Sequence, residues 1–169
     1  PSWHFYEGLI RRAAGLGPAP ELPDPSRYEA VNAHCDLLIV GGGPAGLHAA
    51  AIAARTGMTV ILVEQDFECG GELLASKATI DGQAAMDWAG RIVSELKSLP
   101  HVTLLTATTV FGLYDHGNAG LLQRLDLAGT ESTTRQRYWR VRAKQTLLAT
   151  GAIEQPLVFE QNDLPGIML

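Results

Sequence analysis

The segment CDLLIVGGGPAGLHAAAIAARTGMTVILVE, residues 35–64, decides how this chain is read. Its first part, DLLIV at 36–40, is an apolar run of the kind that forms a strand buried within a parallel sheet. Gly41, Gly43 and Gly46 follow at G-x-G-x-x-G spacing. Residues 44–56 are alanine-rich and of high helix propensity. A second apolar strand, 58–63, then ends on the acid Glu64. Strand, glycine turn, helix and strand in this order make a β-α-β unit suited to a dinucleotide. The spacing assigns Gly41 to the tight turn, Gly43 to close approach of a pyrophosphate, and Gly46 to packing of helix on strand. Pro44 stands where the helix starts, a position at which a missing N–H costs nothing. The helix N-terminus offers unpaired N–H groups and a positive dipole end to phosphates.

Glu64 lies at the end of the second strand, roughly 20 residues beyond the glycines, as the dinucleotide fingerprint requires. A carboxylate there accepts hydrogen bonds from ribose hydroxyls and repels a 2′-phosphate. FAD or NAD is therefore expected rather than NADP. The plainer reading of Glu64 is an ordinary solvated acid at a strand end.

The rest of the composition narrows the class. At 169 residues the chain is long enough to bury a core as one domain. A net charge of −5 gives no reason to expect nucleic acid or an anionic membrane as partner. No apolar run reaches the length of a membrane span, and the first residues lack the charge-then-apolar pattern of a signal peptide. Cys35 and Cys69 have neither metal nor CxxC spacing. One disulfide is conceivable, but free thiols in a reducing, cytoplasmic compartment fit better.

Outside the central unit, residues 1–17 carry apolar and aromatic side chains at helical spacing, ended by Gly15 and Gly17. A Pro-rich connector is expected over 18–34. The domain division is thus an N-terminal helix with connector over 1–34 and a dinucleotide-binding lobe over 35–169. After Glu64 and Gln65, the pair Gly70-Gly71 marks a turn that either flanks a bound cofactor or is simply a loop. A helix is expected over 81–98, with Trp88 in its apolar face, and a third parallel strand over 102–105. Residues 106–144 then alternate between apolar and polar side chains in three runs, which reads as a three-stranded antiparallel meander. A further short strand at 145–149 delivers Ala149-Thr150-Gly151 to the cofactor. The expected fold is therefore α/β: a Rossmann-like FAD/NAD(P)-binding domain with a parallel sheet and a β-meander crossover. The aromatic opening without Met and the apolar last residues suggest a piece of a longer polypeptide.

The motif GGGPAG, the strand-end acid, the meander and the strand ending in ATGA together resemble the glutathione-reductase-type FAD/NAD-binding superfamily. Within it, FYEGLIRRAAGLG, ATTVFGLYDHG, VRAKQTLLATGAIEQPLVF and NDLPGIM resemble the alpha subunits of bacterial heterotetrameric sarcosine oxidases, over nearly the whole chain. Alpha subunits of opine oxidases and dye-linked proline dehydrogenases share much of the pattern. The resemblance implies an assembly with beta, gamma and delta subunits that oxidises sarcosine to glycine and reduces oxygen to hydrogen peroxide. Its one-carbon unit passes to tetrahydrofolate. It further implies NAD held by the alpha subunit, with FMN at the alpha–beta interface and amine oxidation at flavin in the beta subunit. The superfamily fold on its own points to FAD instead. Carried onto matched positions, Gly41, Gly43, Pro44, Ala45 and Gly46 wrap the pyrophosphate. Glu64, with Gln65 beside it, holds the adenosine ribose, and Gly71 flanks the cofactor. Val110 meets the adenine edge through its backbone, or is a plain meander core residue. Thr150 and Gly151 close the pocket.

No Ser/His/Asp arrangement, paired carboxylates, redox CxxC or metal set is visible, so no catalytic or metal-binding residue is expected in this lobe. His34, His48, His101 and His116 are scattered over different elements. Two functions of different class follow: an oxidoreductase subunit working through its dinucleotide, or an assembly module that holds the dinucleotide structurally. A disulfide reductase of the same superfamily is excluded by the missing cysteine pair.

Overall fold

The computed structural model describes residues 3–15, 23, 26–126, 134–152 and 159–160. Helix α1 (Trp3–Ala13) precedes strand β1 (Arg27–Val40), helix α2 (Pro44–Arg55) and strand β2 (Val60–Val63). A 3-10 turn (Gly71–Ala75) leads to a small hairpin, β3 (Thr79–Ile80) and β4 (Gln83–Ala84), and a second 3-10 turn (Asp115–Gly117) lies later in the chain. Helix α3 (Ala85–Ser98) and strands β5 (Val102–Leu105), β6 (Thr108–Tyr114), β7 (Asn118–Arg124) and β8 (Thr134–Leu148) complete the order. Six strands form one sheet in the order β5-β2-β1-β8-β7-β6, and β3 with β4 forms a separate pair. β5, β2, β1 and β8 run parallel, whereas β6 and β7 join antiparallel as the meander.

Successive side chains of a strand point to opposite faces, and this alternation splits the core in two. Ile39, Val60 and Leu62 face α2 and α3, together with Leu47, Ala50, Ala51, Trp88, Ile92 and Leu96. The buried alanines of α2 let the helix lie close to the sheet. Leu38, Ile61 and Val63 face the other way, against Leu105, Leu121 and Val141. Each fully buried Leu or Ile contributes about 2 kcal/mol.

Three boundaries differ from the sequence reading, each for a physical reason. Residues 27–34, expected as connector, are the first half of β1. Their alternation of exposed and half-buried side chains, through Glu29, Val31 and Ala33, is that of a strand with one covered face. The third meander run and the expected short strand at 145–149 are one continuous strand, β8. It changes neighbours along its length, pairing with β7 up to Arg142 and with β1 up to Leu148. The first turn of the expected 81–98 helix is instead the β3–β4 hairpin. Asp81 (φ 53°) and Gly82 (φ 77°) both take left-handed backbone there, the geometry an Asp-Gly hairpin turn demands. The expected meander turn at 129–132 lies outside the described residues.

Two surface ion pairs tie segments distant in sequence. Arg55 makes a two-point contact with Glu95, both bonds 2.9 Å, joining α2 to α3. Asp36 accepts hydrogen bonds from Thr59 N (2.8 Å) and faces Lys144 Nζ at 2.7 Å, joining β1, the start of β2 and β8. Lys144 and Thr59 hold the Asp36 carboxyl well below the usual range, and Arg55 lowers that of Glu95. Depressed carboxyl values stabilise the fold above the unfolded-state pKa, and that stability is lost as pH falls through the folded-state value. Asp36→Asn and Glu95→Gln are therefore expected to flatten the acid limb of a stability–pH profile. Their effect should be small and salt-sensitive, as both pairs are exposed. Chemical denaturation at pH values from 7 downwards checks this, and an unaltered acid limb in both variants would contradict it.

Candidate functional site: a dinucleotide cleft at the strand ends

The carboxyl ends of β1, β2 and β8 open into a cleft of about 440 Å³, where open α/β sheets place their ligands. Gly41, Gly43, Pro44, Ala45, Glu64, Gln65, Gly71, Val110, Thr150 and Gly151 all line it. Gly46 does not. It lies beneath the turn, where a Cβ would come 1.9 Å from the Gly41 carbonyl oxygen. Gly41, at φ 109°, is pressed against β8, and a Cβ there would lie 2.2 Å from the Ala149 oxygen. Gly43 differs from both: among the described residues, a Cβ there would meet nothing within 4 Å. That is the space a ligand would fill. Gly41 and Gly46 are thus packed closely against protein, and Gly43 alone of the three has open space beside it among the described residues.

The N-terminus of α2 is aimed at this space. Gly43 is its N-cap, and no side chain of the described residues caps it. Pro44 has no N–H, so the first free donor offered to a ligand belongs to Ala45. Among the described residues that line the cleft there are three carboxylates, Glu64, Asp66 and Glu72, and no Lys, Arg or His. A bound pyrophosphate would therefore be held by backbone N–H groups and the helix dipole rather than by a counter-ion.

Glu64 is buried, with 7% of its surface exposed. Its Oε2 accepts the Gly42 N–H at 2.7 Å and its Oε1 accepts the Asp66 N–H at 3.0 Å. The plainer reading of a solvated strand-end acid is thereby overturned. Each oxygen keeps a second lone pair, the acceptor set a ribose diol needs. The Glu64 main chain is clamped as well: its N–H donates to Leu105 O (2.8 Å), and its carbonyl accepts from Thr108 N (2.9 Å). Val110 sits further along β6, the outermost strand of the sheet. The ladder slips between Val110 and Gly112.

Gly42 is the residue that the glycine spacing overlooked, since it occupies an x position of the motif. A Cβ there would stand 2.9 Å from both Cys69 Sγ and Glu64 Oε2. Its carbonyl accepts the Gly70 N–H at 2.9 Å. Gly71, at φ 53°, comes close enough that a Cβ would lie 3.1 Å from Gly43 Cα. The Gly70-Gly71 turn therefore packs directly on the glycine turn that joins β1 to α2. The tripled glycine GGG was the available signal.

Cys35 and Cys69 are free and buried, so the conceivable disulfide is not formed. Burial pushes both thiols up to about 11, with Glu64 adding to the effect at Cys69. Neither should react readily, because the thiolate is the nucleophile. In the folded protein both are expected to resist a thiol reagent at neutral pH and to react at once after denaturation. A fast-reacting native cysteine would contradict this burial.

Residues 36–147 match the family described as FAD dependent oxidoreductase. The chain is 49% identical over 173 residues to the sarcosine oxidase subunit alpha of Rhizobium meliloti, covering 100% of this chain and 18% of that protein. It is 46% identical over 160 residues to the sarcosine oxidase subunit alpha of a Corynebacterium species, covering 92% of this chain and 16% of that protein. Among solved structures, L-proline dehydrogenase from P. horikoshii superposes with a TM-score of 0.62 at 27% identity, covering 83% of this chain and 27% of that one. The chain thus spans less than a fifth of the length of these curated relatives. The expectation of NAD as the first choice of cofactor is not supported, and the family favours FAD. With its β-α-β unit, meander and cleft in place, the chain belongs to the FAD-dependent oxidoreductases.

Proposed function

We propose that this lobe holds the adenosine diphosphate portion of FAD within the alpha subunit of a multi-subunit, sarcosine-oxidase-type amine oxidase. The observation that carries the reading is the open space over Gly43, set between the uncapped end of α2 and the buried Glu64 carboxylate. High identity to two sarcosine oxidase alpha subunits supports the amine-oxidase assignment. The likeness to a proline dehydrogenase keeps a related amine substrate as the second reading.

In this proposal FAD supplies two-electron redox chemistry, and the chain's own residues bind and orient it. Ala45 N–H and the α2 dipole receive the pyrophosphate over Gly43. Glu64 accepts from the ribose hydroxyls while its own bonds to Gly42 and Asp66 keep the phosphate loop in register. Its charge disfavours a 2′-phosphate. The outer edge of β6 at Val110, unpaired among the described residues, presents backbone groups to the adenine, while Thr150 and Gly151 close the cleft beside Gln65 and Gly71. The lobe takes in residues 27–34 and belongs with beta, gamma and delta partner subunits. Two buried, free thiols suit a reducing, cytoplasmic setting.

Gly43→Asp in the full-length assembly tests the reading. The substitution places bulk and negative charge where the pyrophosphate would lie, and its Cβ meets no described residue within 4 Å. Subunit assembly should persist while FAD content and turnover of sarcosine fall together, by about a hundredfold or more. Unchanged FAD content would refute the site. Lost FAD with normal turnover would make the dinucleotide structural.

A further inference from the structure

The outer face of the sheet carries a row of cations that the dinucleotide cleft does not use. Arg140, Arg142 and Lys144 occupy alternate positions of β8, so they share one face, and all three are exposed. His34 pairs with Arg142 across the β1–β8 register. The 3-10 turn Asp115–Gly117 folds onto the same strand. His116 takes a left-handed conformation (φ 62°), and a Cβ on Gly117 would lie 2.2 Å from the Ala143 oxygen. His34 and His116, which the sequence scatters, thus meet Arg142 and Lys144 around one open groove of about 570 Å³.

On a chain of net charge −5 this is a local concentration of positive charge. Lys144 is partly neutralised by Asp36 at 2.7 Å, and Asp115 stands in the turn itself. Arg140 lies over the Tyr138 ring at 5.4 Å, and that ring stacks with Phe111 at 5.8 Å. Arg142 forms no ion pair among the described residues.

We propose that this groove docks an extended, carboxylate-rich peptide segment of a partner protein. Alternate side chains on a strand recur every ~7 Å, so the row from Arg140 to Lys144 spans ~13 Å. That is too long for one phosphate or carboxylate. It keeps step with acidic side chains at alternate positions of an extended partner. Arg142 offers a planar fork that grips a carboxylate at two points, and His34 and His116 flank it with further N–H donors. The Phe111–Tyr138 stack supplies the aromatic end that protein interfaces favour.

A synthetic peptide of alternating Glu and Thr, titrated into the full-length chain by fluorescence anisotropy, tests this. Binding should weaken as salt rises, should fall about tenfold or more in Arg142→Glu, and should be unaffected by Arg91→Glu on α3, a residue that does not line the groove. Arg142→Ala, which alters the fold least, should show a smaller loss in the same direction. No binding at low salt would overturn the proposal, as would affinity indifferent to Arg142. Displacement of the peptide by equimolar inorganic phosphate would also overturn it, and would make the groove a small-anion site.

Discussion

Gly46→Ala should be sharply destabilised, whereas Gly43→Ala should fold normally and lose its cofactor. The two residues stand three positions apart in one motif, yet they face different neighbours. A Cβ at Gly46 would lie 1.9 Å from the Gly41 oxygen and 3.0 Å from its carbonyl carbon. These are backbone atoms of the turn that joins β1 to α2, so they can yield only if the helix lifts off the sheet. Overpacking of that kind costs about 3 kcal/mol or more, a large share of a total stability of about 5–15 kcal/mol. At Gly43 the same methyl meets no described residue within 4 Å. The backbone there (φ −70°, ψ −177°) is extended and open to any residue. Its stability should change by less than about 0.5 kcal/mol, while the methyl stands where the pyrophosphate would approach. Urea denaturation together with FAD titration of both variants separates the two effects. Equal stability of the two would mean that the helix–turn contact is not as close as described.

Removal of the Glu64 carboxylate should damage fold and binding together. Its two oxygens are the acceptors for the N–H groups of Gly42 and Asp66, in a site with 7% exposure. Glu64→Ala leaves both donors without a partner, at about 1–3 kcal/mol each. Glu64→Gln keeps one carbonyl oxygen but turns an amide N–H₂ towards the other donor, so about half of that loss is expected. Because Gly42 lies inside the glycine turn proposed to hold the pyrophosphate, FAD affinity should fall further than loss of the proposed ribose contact alone would explain. A Glu64→Ala protein with ordinary stability and affinity would show that the carboxylate is only a surface acid.

Residues 36–64 were readable because every local signal agrees there: two apolar runs, glycine spacing, alanine helix and terminal acid. β1 reaches back to Arg27, hidden behind the prolines that precede it. Its polar alternation is intelligible only once β8 is known to pair with it. β8 was divided because its pattern changes from alternating at Trp139 to apolar at Leu147. The change records a change of neighbours rather than an end of the strand. Asp81-Gly82 carried its own hairpin signal, which the longer helical pattern of α3 masked. Glu64 was legible as an acid in the right place, but not as the residue that fastens Gly42. That bond joins positions far apart in sequence, as does the meeting of His34 with His116. The choice between FAD and NAD was not legible, since Glu64 meets the adenosine of either.

The most direct measurement is an absorbance spectrum of the purified full-length subunit, followed by chromatography of whatever heat releases from it. Flavin bands with FAD released in equal amount, both lost in Gly43→Asp, are the expected result. Release of NAD without a flavin band would contradict the FAD assignment. A full complement of FAD retained in Gly43→Asp would contradict the cleft itself.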